Sequence, residues 1–241
     1  MMHLGSPDDW MDFLDPIIPD IVHLIADTWP TSSAPAGDEM EDAITNSFCR
    51  TLRASRTARL LPFQIHPQYV ELDGAKGEKQ GRIDIVFSPF VPREDIYFAL
   101  ECKRLNVREP RGTIRPYHAE YVHDGMTRFI SGKYSIAGHA GGMLGYVLDG
   151  DVGHAMAGVE ANIGQHYKKL CMAPPGKFQP SRIRPNDSCA QETRHRRSTS
   201  SSDFAIHHLF VACDPTTPLR AKPFSSDSRT NRPRKRRRPN A

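Results

Sequence analysis

The chain reads as an α/β protein in which helices flank a mixed central sheet, and three observations predict this. Apolar runs at Leu60 to Leu72, Ile83 to Phe87, Ile96 to Leu100 and Met143 to Leu148 are separated by turn residues, the punctuation expected of strands. One long stretch of helical spacing falls between the last two runs, so locally paired strands are followed by a helix and a further strand. With 241 residues the chain can bury a full core, and one domain with tails is expected.

Asp15 to Trp29 has Pro16 near its start and Ile17, Ile18, Ile21, Val22, Leu24 and Ile25 along it, which predicts an amphipathic helix. Pro30 to Gly37 is a Pro/Ser/Gly linker, so residues 1–36 form a helix and linker ahead of a core over 37–175. The core opens with a second helix: Glu41, Ile44, Thr45, Phe48 and Leu52 share one face, and Asp38, Glu39, Glu41 and Asp42 suit its N-terminus. The Gly74 and Gly77 region fits a hairpin loop. Within residues 117–134, Tyr121, Gly125, Arg128 and Phe129 recur at helical spacing, with Lys133 just past the end. Asp151 to Leu170 predicts another helix, striped by Val152, Met156, Val159, Ile163 and Tyr167. After Pro174-Pro175-Gly176 the composition turns to Pro, Ser, Arg and Thr. Residues 176–228 therefore read as a loop-rich extension with one strand, 204–211, at a sheet edge, and residues 229–241 as a disordered basic tail.

Chemistry concentrates in Gly81-Arg82-Ile83-Asp84-Ile85-Val86-Phe87 and Phe98-Ala99-Leu100-Glu101-Cys102-Lys103. Alternate side chains of a strand share a face, so Glu101 and Lys103 point one way, Leu100 and Cys102 the other. On the earlier strand Ile83, Ile85 and Phe87 share a face and leave Asp84 opposite. If the two strands pair, their apolar faces are buried together while Asp84, Glu101 and Lys103 converge. Two neighbouring carboxylates repel each other, and a divalent cation relieves the repulsion. Oxygen-only ligation favours Mg2+ or Mn2+ over zinc. Such an ion polarises a phosphoryl oxygen and acidifies bound water, while Lys103 could orient or deprotonate that water or stabilise transition-state charge. The parts suit metal-assisted hydrolysis of a phosphodiester. A surface hairpin with an ordinary Glu/Lys pair on its solvated face is the competing reading.

Asp84, a spacer, and then Glu101-Cys102-Lys103 resembles the core of the PD-(D/E)XK nuclease superfamily, shared by many type II restriction endonucleases, Holliday-junction resolvases and repair nucleases. The resemblance spans roughly residues 38–170 and implies a restriction endonuclease-like core, with the Asp at the end of the second strand and the Glu-x-Lys on the third. It implies that Asp84 and Glu101 bind metal with help from the Cys102 carbonyl and that Lys103 positions the nucleophile. Glu41 matches a glutamate on the family's first core helix that often joins the metal site. Arg128 and Lys133 are candidates for holding substrate or supporting the active site, with amphipathic packing of a core helix as the alternative. On this reading the chain is a Mg2+- or Mn2+-dependent nuclease, a hydrolase cutting DNA phosphodiester bonds, of a kind used in restriction, defence or repair.

Net charge is +4, unevenly placed. Residues 176–241 hold 15 Lys/Arg against 5 Asp/Glu, which leaves residues 1–175 with 6 excess negative charges. Arg229 to Arg238 contains 7 positive residues, including Arg234, Lys235, Arg236, Arg237 and Arg238, and no acidic one. Such a tail attaches to nucleic-acid phosphates through counterion release, and it resembles a nuclear-import signal. No stretch nears the roughly 20 apolar residues of a membrane helix, and the acidic start lacks the parts of a signal peptide. A cytoplasmic protein without a membrane partner is expected, nucleoid-associated in a bacterium. Five widely spaced cysteines without a Cys-x-x-Cys pair indicate neither a disulfide framework nor a zinc finger. Ile206 to Val211 reads as a strand with one partly buried histidine. DNA is the expected partner, with RNA open, and cutting both strands would favour a homodimer. Two other readings stay open: a non-catalytic nucleic-acid-binding or scaffolding protein that retains a nuclease-like core, and a metal-dependent phosphotransfer enzyme acting on a small nucleotide. The second lacks a Gly-x-x-x-x-Gly-Lys loop.

Overall fold

A computed structural model describes residues 7–70, 81–91, 93–135, 138–197 and 203–213. In chain order its strands are β1 (Phe63–Val70), β2 (Arg82–Pro89), β3 (Phe98–Leu105), β4 (Val107–Arg108), β5 (Ile114–Arg115), β6 (Ala140–Val147), β7 (Gln179–Pro180), β8 (Ala190–His195) and β9 (Phe204–Ala212). Among the described residues 7 strands form one mixed sheet in the order β1-β2-β3-β6-β9-β8-β7, and β4 pairs with β5 apart from it. β3, β6 and β9 run parallel, while the flanking pairs are antiparallel.

Helices cover both faces. α1 (Pro7–Leu14), α2 (Ile18–Thr28) and α3 (Glu41–Ala54) lie on one; α4 (His118–Glu120), a π-helical turn (Tyr121–Met126), α5 (Thr127–Ile130) and α6 (Val152–His166) lie on the other. Central strands covered on both sides are apolar throughout rather than alternating, and β6 is buried along its whole length. Its Leu144 and Tyr146 pack with Ile25 and Phe48, and its Met143 and Val147 with Tyr121, Phe129 and Val159. Ile44, Thr45, Phe48, Cys49 and Leu52 form the buried stripe that seats α3 on the sheet.

Several expectations are corrected. The helix expected over Asp15 to Trp29 begins with a short 3-10 turn, Asp15–Ile17, and α1 precedes it. The helix expected to reach Leu170 spans Val152–His166. β9 is no edge strand, since it lies between β6 and β8. The expected loop region supplies β7 and β8, so the described residues of the extension hold three strands instead of one. β8 escapes sequence reading because Glu192, Thr193 and His195 are buried polar residues, and burial of such groups requires partners. Thr193 Oγ1 lies 2.7 Å from His195 Nε2 and 2.8 Å from His208 Nε2. His208 Nδ1 is 3.0 Å from Tyr121 Oη, and His195 Nδ1 is 2.7 Å from the Leu170 carbonyl. His207 and His208 are both buried, where one partly buried histidine is expected. The Gly74 and Gly77 loop and the basic tail lie outside the described residues.

Candidate active site

β2 and β3 pair through Ile85↔Leu100, Val86↔Ala99 and Phe87↔Phe98, and then part. On its other side, β2 pairs with β1 through Pro67↔Ile85 and Tyr69↔Ile83 and skips the position between, where Gln68 takes a left-handed φ of 54°. Asp84 therefore belongs to neither ladder. The strand turns about it, so that Ile85 and Phe87 pack in one core cluster and Ile83 joins Val86 in the other. This corrects the expected common face of Ile83, Ile85 and Phe87: a local ladder break re-aims side chains that strict alternation would align.

Asp84 still reaches the Glu-Cys-Lys segment. It sits near the start of β2, which antiparallel pairing sets toward the end of β3, and its Oδ2 accepts the Cys102 N–H at 2.7 Å. A side-chain carboxylate thus replaces a ladder carbonyl. Lys103 Nζ donates to Glu101 Oε1 at 2.7 Å, to the Cys102 carbonyl at 2.9 Å and to Glu41 Oε1 at 3.0 Å. Glu41 Oε2 accepts the Arg104 N–H at 3.0 Å, and Arg104 Nη1 donates to the Glu39 carbonyl at 2.8 Å. These bonds dock the start of α3 on the end of β3. From the other layer, Arg128 Nη1 donates to Glu101 Oε1 and to Tyr134 Oη, each at 2.7 Å. Tyr134 Oη in turn donates to the Arg82 carbonyl at 2.6 Å. Gly125 lies in the same layer, where a Cβ would meet the end of the Met143 side chain. The opening between β2 and β3 lets helices from both sheet faces meet at one cluster.

The centre of the cluster is buried: Glu101 is 0% exposed, Asp84 6% and Lys103 8%. Burial, then repulsion from Asp84, pushes the Glu101 carboxyl up to about 7. Burial also raises Asp84, against the pull of Lys103 and the Cys102 N–H. Burial by itself would lower Lys103, but the carboxylates of Glu101, Glu41 and Asp84 outweigh it and hold the ammonium above its ordinary value.

Asp84, Glu101 and the Cys102 carbonyl are the oxygens that could hold a divalent ion. Glu101 Oε2 is buried with no hydrogen-bond partner among the described residues, and burial makes both carboxyls bind protons more readily than usual despite Lys103 and Arg128 beside them. Oxygen donors of this kind are the ones that Mg2+ or Mn2+ takes. Lys103 Nζ already holds Glu101 Oε1 and the Cys102 carbonyl, and among the described residues no group of three or more His, Cys, Asp and Glu side chains is arranged to hold a metal. Glu41 joins the cluster through Lys103 and Arg104. Lys133 lies against Gly81, just ahead of β2, and is not among the side chains holding Glu101. Arg234, Lys235, Arg236, Arg237 and Arg238 lie outside the described residues. Sequence reasoning passed over Arg104, whose place directly after Lys103 was a usable signal, and Tyr134, which carries none.

No family model, no curated protein and no solved structure matches the chain. Among the described residues no helix is long and apolar enough to cross a membrane.

Proposed function

We propose that the chain is a Mg2+- or Mn2+-dependent nuclease with a restriction endonuclease-like core, hydrolysing DNA phosphodiester bonds at Asp84, Glu101 and Lys103. One observation carries this reading: Asp84 and the Glu101-Cys102-Lys103 segment meet where β2 and β3 part, with Glu41 joined to them from the preceding helix. The order of α3, three antiparallel strands, a helical layer and the parallel β6 supports the same reading.

A metal bound by Asp84, Glu101 and the Cys102 carbonyl would supply Lewis-acid polarisation of the phosphoryl oxygen and a more acidic water. The chain's own groups do the rest. Lys103, kept protonated by three carboxylates, serves as a donor that orients the attacking water and stabilises charge on the phosphoryl oxygens. Glu41 fixes that ammonium and the β3 backbone with its two oxygens. Arg128 restrains Glu101 from the opposite layer.

The test is cleavage of mixed DNA substrates with Mg2+, with EDTA, and by Asp84→Ala and Lys103→Ala. Metal-dependent cleavage that falls at least about 100-fold in both variants is expected. Undiminished cleavage by the variants refutes the assignment. A second reading, a nucleic-acid-binding protein that does not cut, is favoured by the internal pairing of Lys103 with Glu101 and Cys102. It predicts metal-independent binding, indifferent to Asp84→Ala, with no cleavage by the unaltered chain.

A further inference from the structure

We propose that the β4–β5 hairpin is a duplex-DNA element whose arginines enter the major groove beside the site just described. The proposal deepens the nuclease reading by naming the form of substrate, and it rests on that reading for the identity of the ligand.

The hairpin leaves the site directly. β3 ends two residues after Lys103, Asn106 takes a left-handed φ of 52°, and the chain enters β4. β4 and β5 pair as Val107↔Arg115 and Arg108↔Ile114. Pro110-Arg111-Gly112 closes them: the Gly112 N–H donates to the Glu109 carbonyl at 2.9 Å, and the Glu109 N–H to the Thr113 carbonyl at 2.8 Å. Gly112 has φ 85°, the left-handed position that three-residue hairpin loops assign to glycine. The ribbon is thus a defined shape.

Nothing covers it among the described residues. Every residue from Arg108 to Pro116 is exposed, and Ile114 is 45% accessible. Within the hairpin Arg108, Arg111 and Arg115 stand against a single acid, Glu109, and just beyond it Glu120 Oε1 lies 3.5 Å from Arg115 Nη2, which leaves Arg108 and Arg111 as the pair turned to a ligand. At its base the Arg115 guanidinium lies 4.4 Å from the Tyr117 ring centroid, and that of Arg104 lies 5.8 Å from it. Arg104 is the residue bonded to the Glu39 carbonyl and, through its N–H, to Glu41. An arginine–tyrosine stack therefore joins the ribbon to the rim of the carboxylate cluster.

A two-stranded ribbon is a shape the B-DNA major groove admits, being about 12 Å wide. The major groove of A-form RNA is too narrow for side chains to read. Arg108 and Ile114 share a ribbon face, pairing a donor for guanine or phosphate with an apolar surface for a thymine methyl.

The test uses the full chain in EDTA, where binding is read without cutting. Fluorescence anisotropy over a salt series compares a DNA duplex of about two helical turns with an RNA duplex of the same sequence. The basic tail is present throughout, so differences between variants report the hairpin. Arg108→Ala/Arg111→Ala is expected to weaken DNA-duplex binding about 10-fold or more. It should also flatten the log–log salt slope by about 0.9 for each phosphate that the pair no longer neutralises and shrink the preference for DNA over RNA. Arg108→Lys/Arg111→Lys should keep the salt slope. Unchanged DNA affinity and slope in the alanine pair, or equal losses on DNA and RNA, overturns the proposal. A chain that never cleaves yet loses DNA affinity with the hairpin arginines refutes the nuclease reading and leaves the hairpin standing.

Discussion

Arg128 Nη1 lies 2.7 Å from Glu101 Oε1, the same oxygen that Lys103 Nζ holds at 2.7 Å. One oxygen of a fully buried carboxylate thus carries two cations, while Oε2 has no hydrogen-bond partner among the described residues. Deleting one member of a buried charged set is costly because it leaves charge uncompensated. Arg128 is 32% exposed, so water recovers part of the loss. Arg128→Ala is expected to lower the urea unfolding free energy by about 1–2 kcal/mol. One positive charge fewer beside the carboxylates should also tighten Mn2+ binding several-fold by calorimetry. Weaker Mn2+ binding would show that Arg128 does not oppose the ion.

Glu41 is a positioning residue in this scheme, because it holds Lys103 and the Arg104 N–H without reaching Asp84 or Glu101 by a hydrogen bond of its own. An amide has one accepting oxygen where a carboxylate has two, so Glu41→Gln releases one of the two donors. The expected result is a fall in kcat of about 10- to 100-fold, of the size that misplacement causes, with KM almost unchanged. A raised KM at constant kcat would move Glu41 from positioning to substrate binding.

Glu101 and Lys103 were legible in sequence because strand alternation alone sets them on one face. Asp84 was legible as chemistry but not as geometry. Its convergence depends on a ladder break opposite Gln68, and no local propensity announces a break that two strands make together. The helical layer was legible as spacing, yet its π-helical turn at Tyr121–Met126 adds a residue to one turn and shifts which side chains face the sheet. β8 was hidden for the opposite reason, since its buried residues are polar and find their partners within β8, on β9 and at the Leu170 carbonyl. The β4–β5 hairpin had a signal in Pro110-Arg111-Gly112, a turn tripeptide closing strands too short to show periodicity.

Tyr121 joins that polar face to the π-helical turn. Its hydroxyl lies 3.0 Å from His208 Nδ1, and both residues are essentially inaccessible to water. Tyr121→Phe removes the hydroxyl and leaves a buried ring nitrogen unpaired, which costs about 1–3 kcal/mol. Urea denaturation should show a midpoint lowered accordingly at unchanged slope. A loss under about 0.5 kcal/mol, the scatter of neutral surface changes, would mean that His208 finds another partner.

His195 makes stability depend on pH in a direction that its surroundings fix. Burial, reinforced by Arg197 and opposed by the Leu170 carbonyl, lowers its imidazole to about 4. In the unfolded chain a histidine titrates near 6.5. Below that pH the unfolded state takes up a proton that the folded state refuses until pH falls to about 4, so the contribution is complete above about 6.5 and drains away as pH falls. The whole effect is on the order of 3 kcal/mol. Glu101, raised to about 7, acts with the opposite sign over an overlapping range, because there the folded state is protonated first. The unaltered protein shows only the difference, and the His195 contribution has to be read by comparison. His195→Gln is expected to be less stable than the unaltered chain near pH 7.5, where both of its hydrogen bonds are disturbed, and to close that gap steadily toward about pH 4.5. Urea unfolding at several pH values measures the gap directly, and a gap of constant size would mean that His195 takes up its proton as readily folded as unfolded.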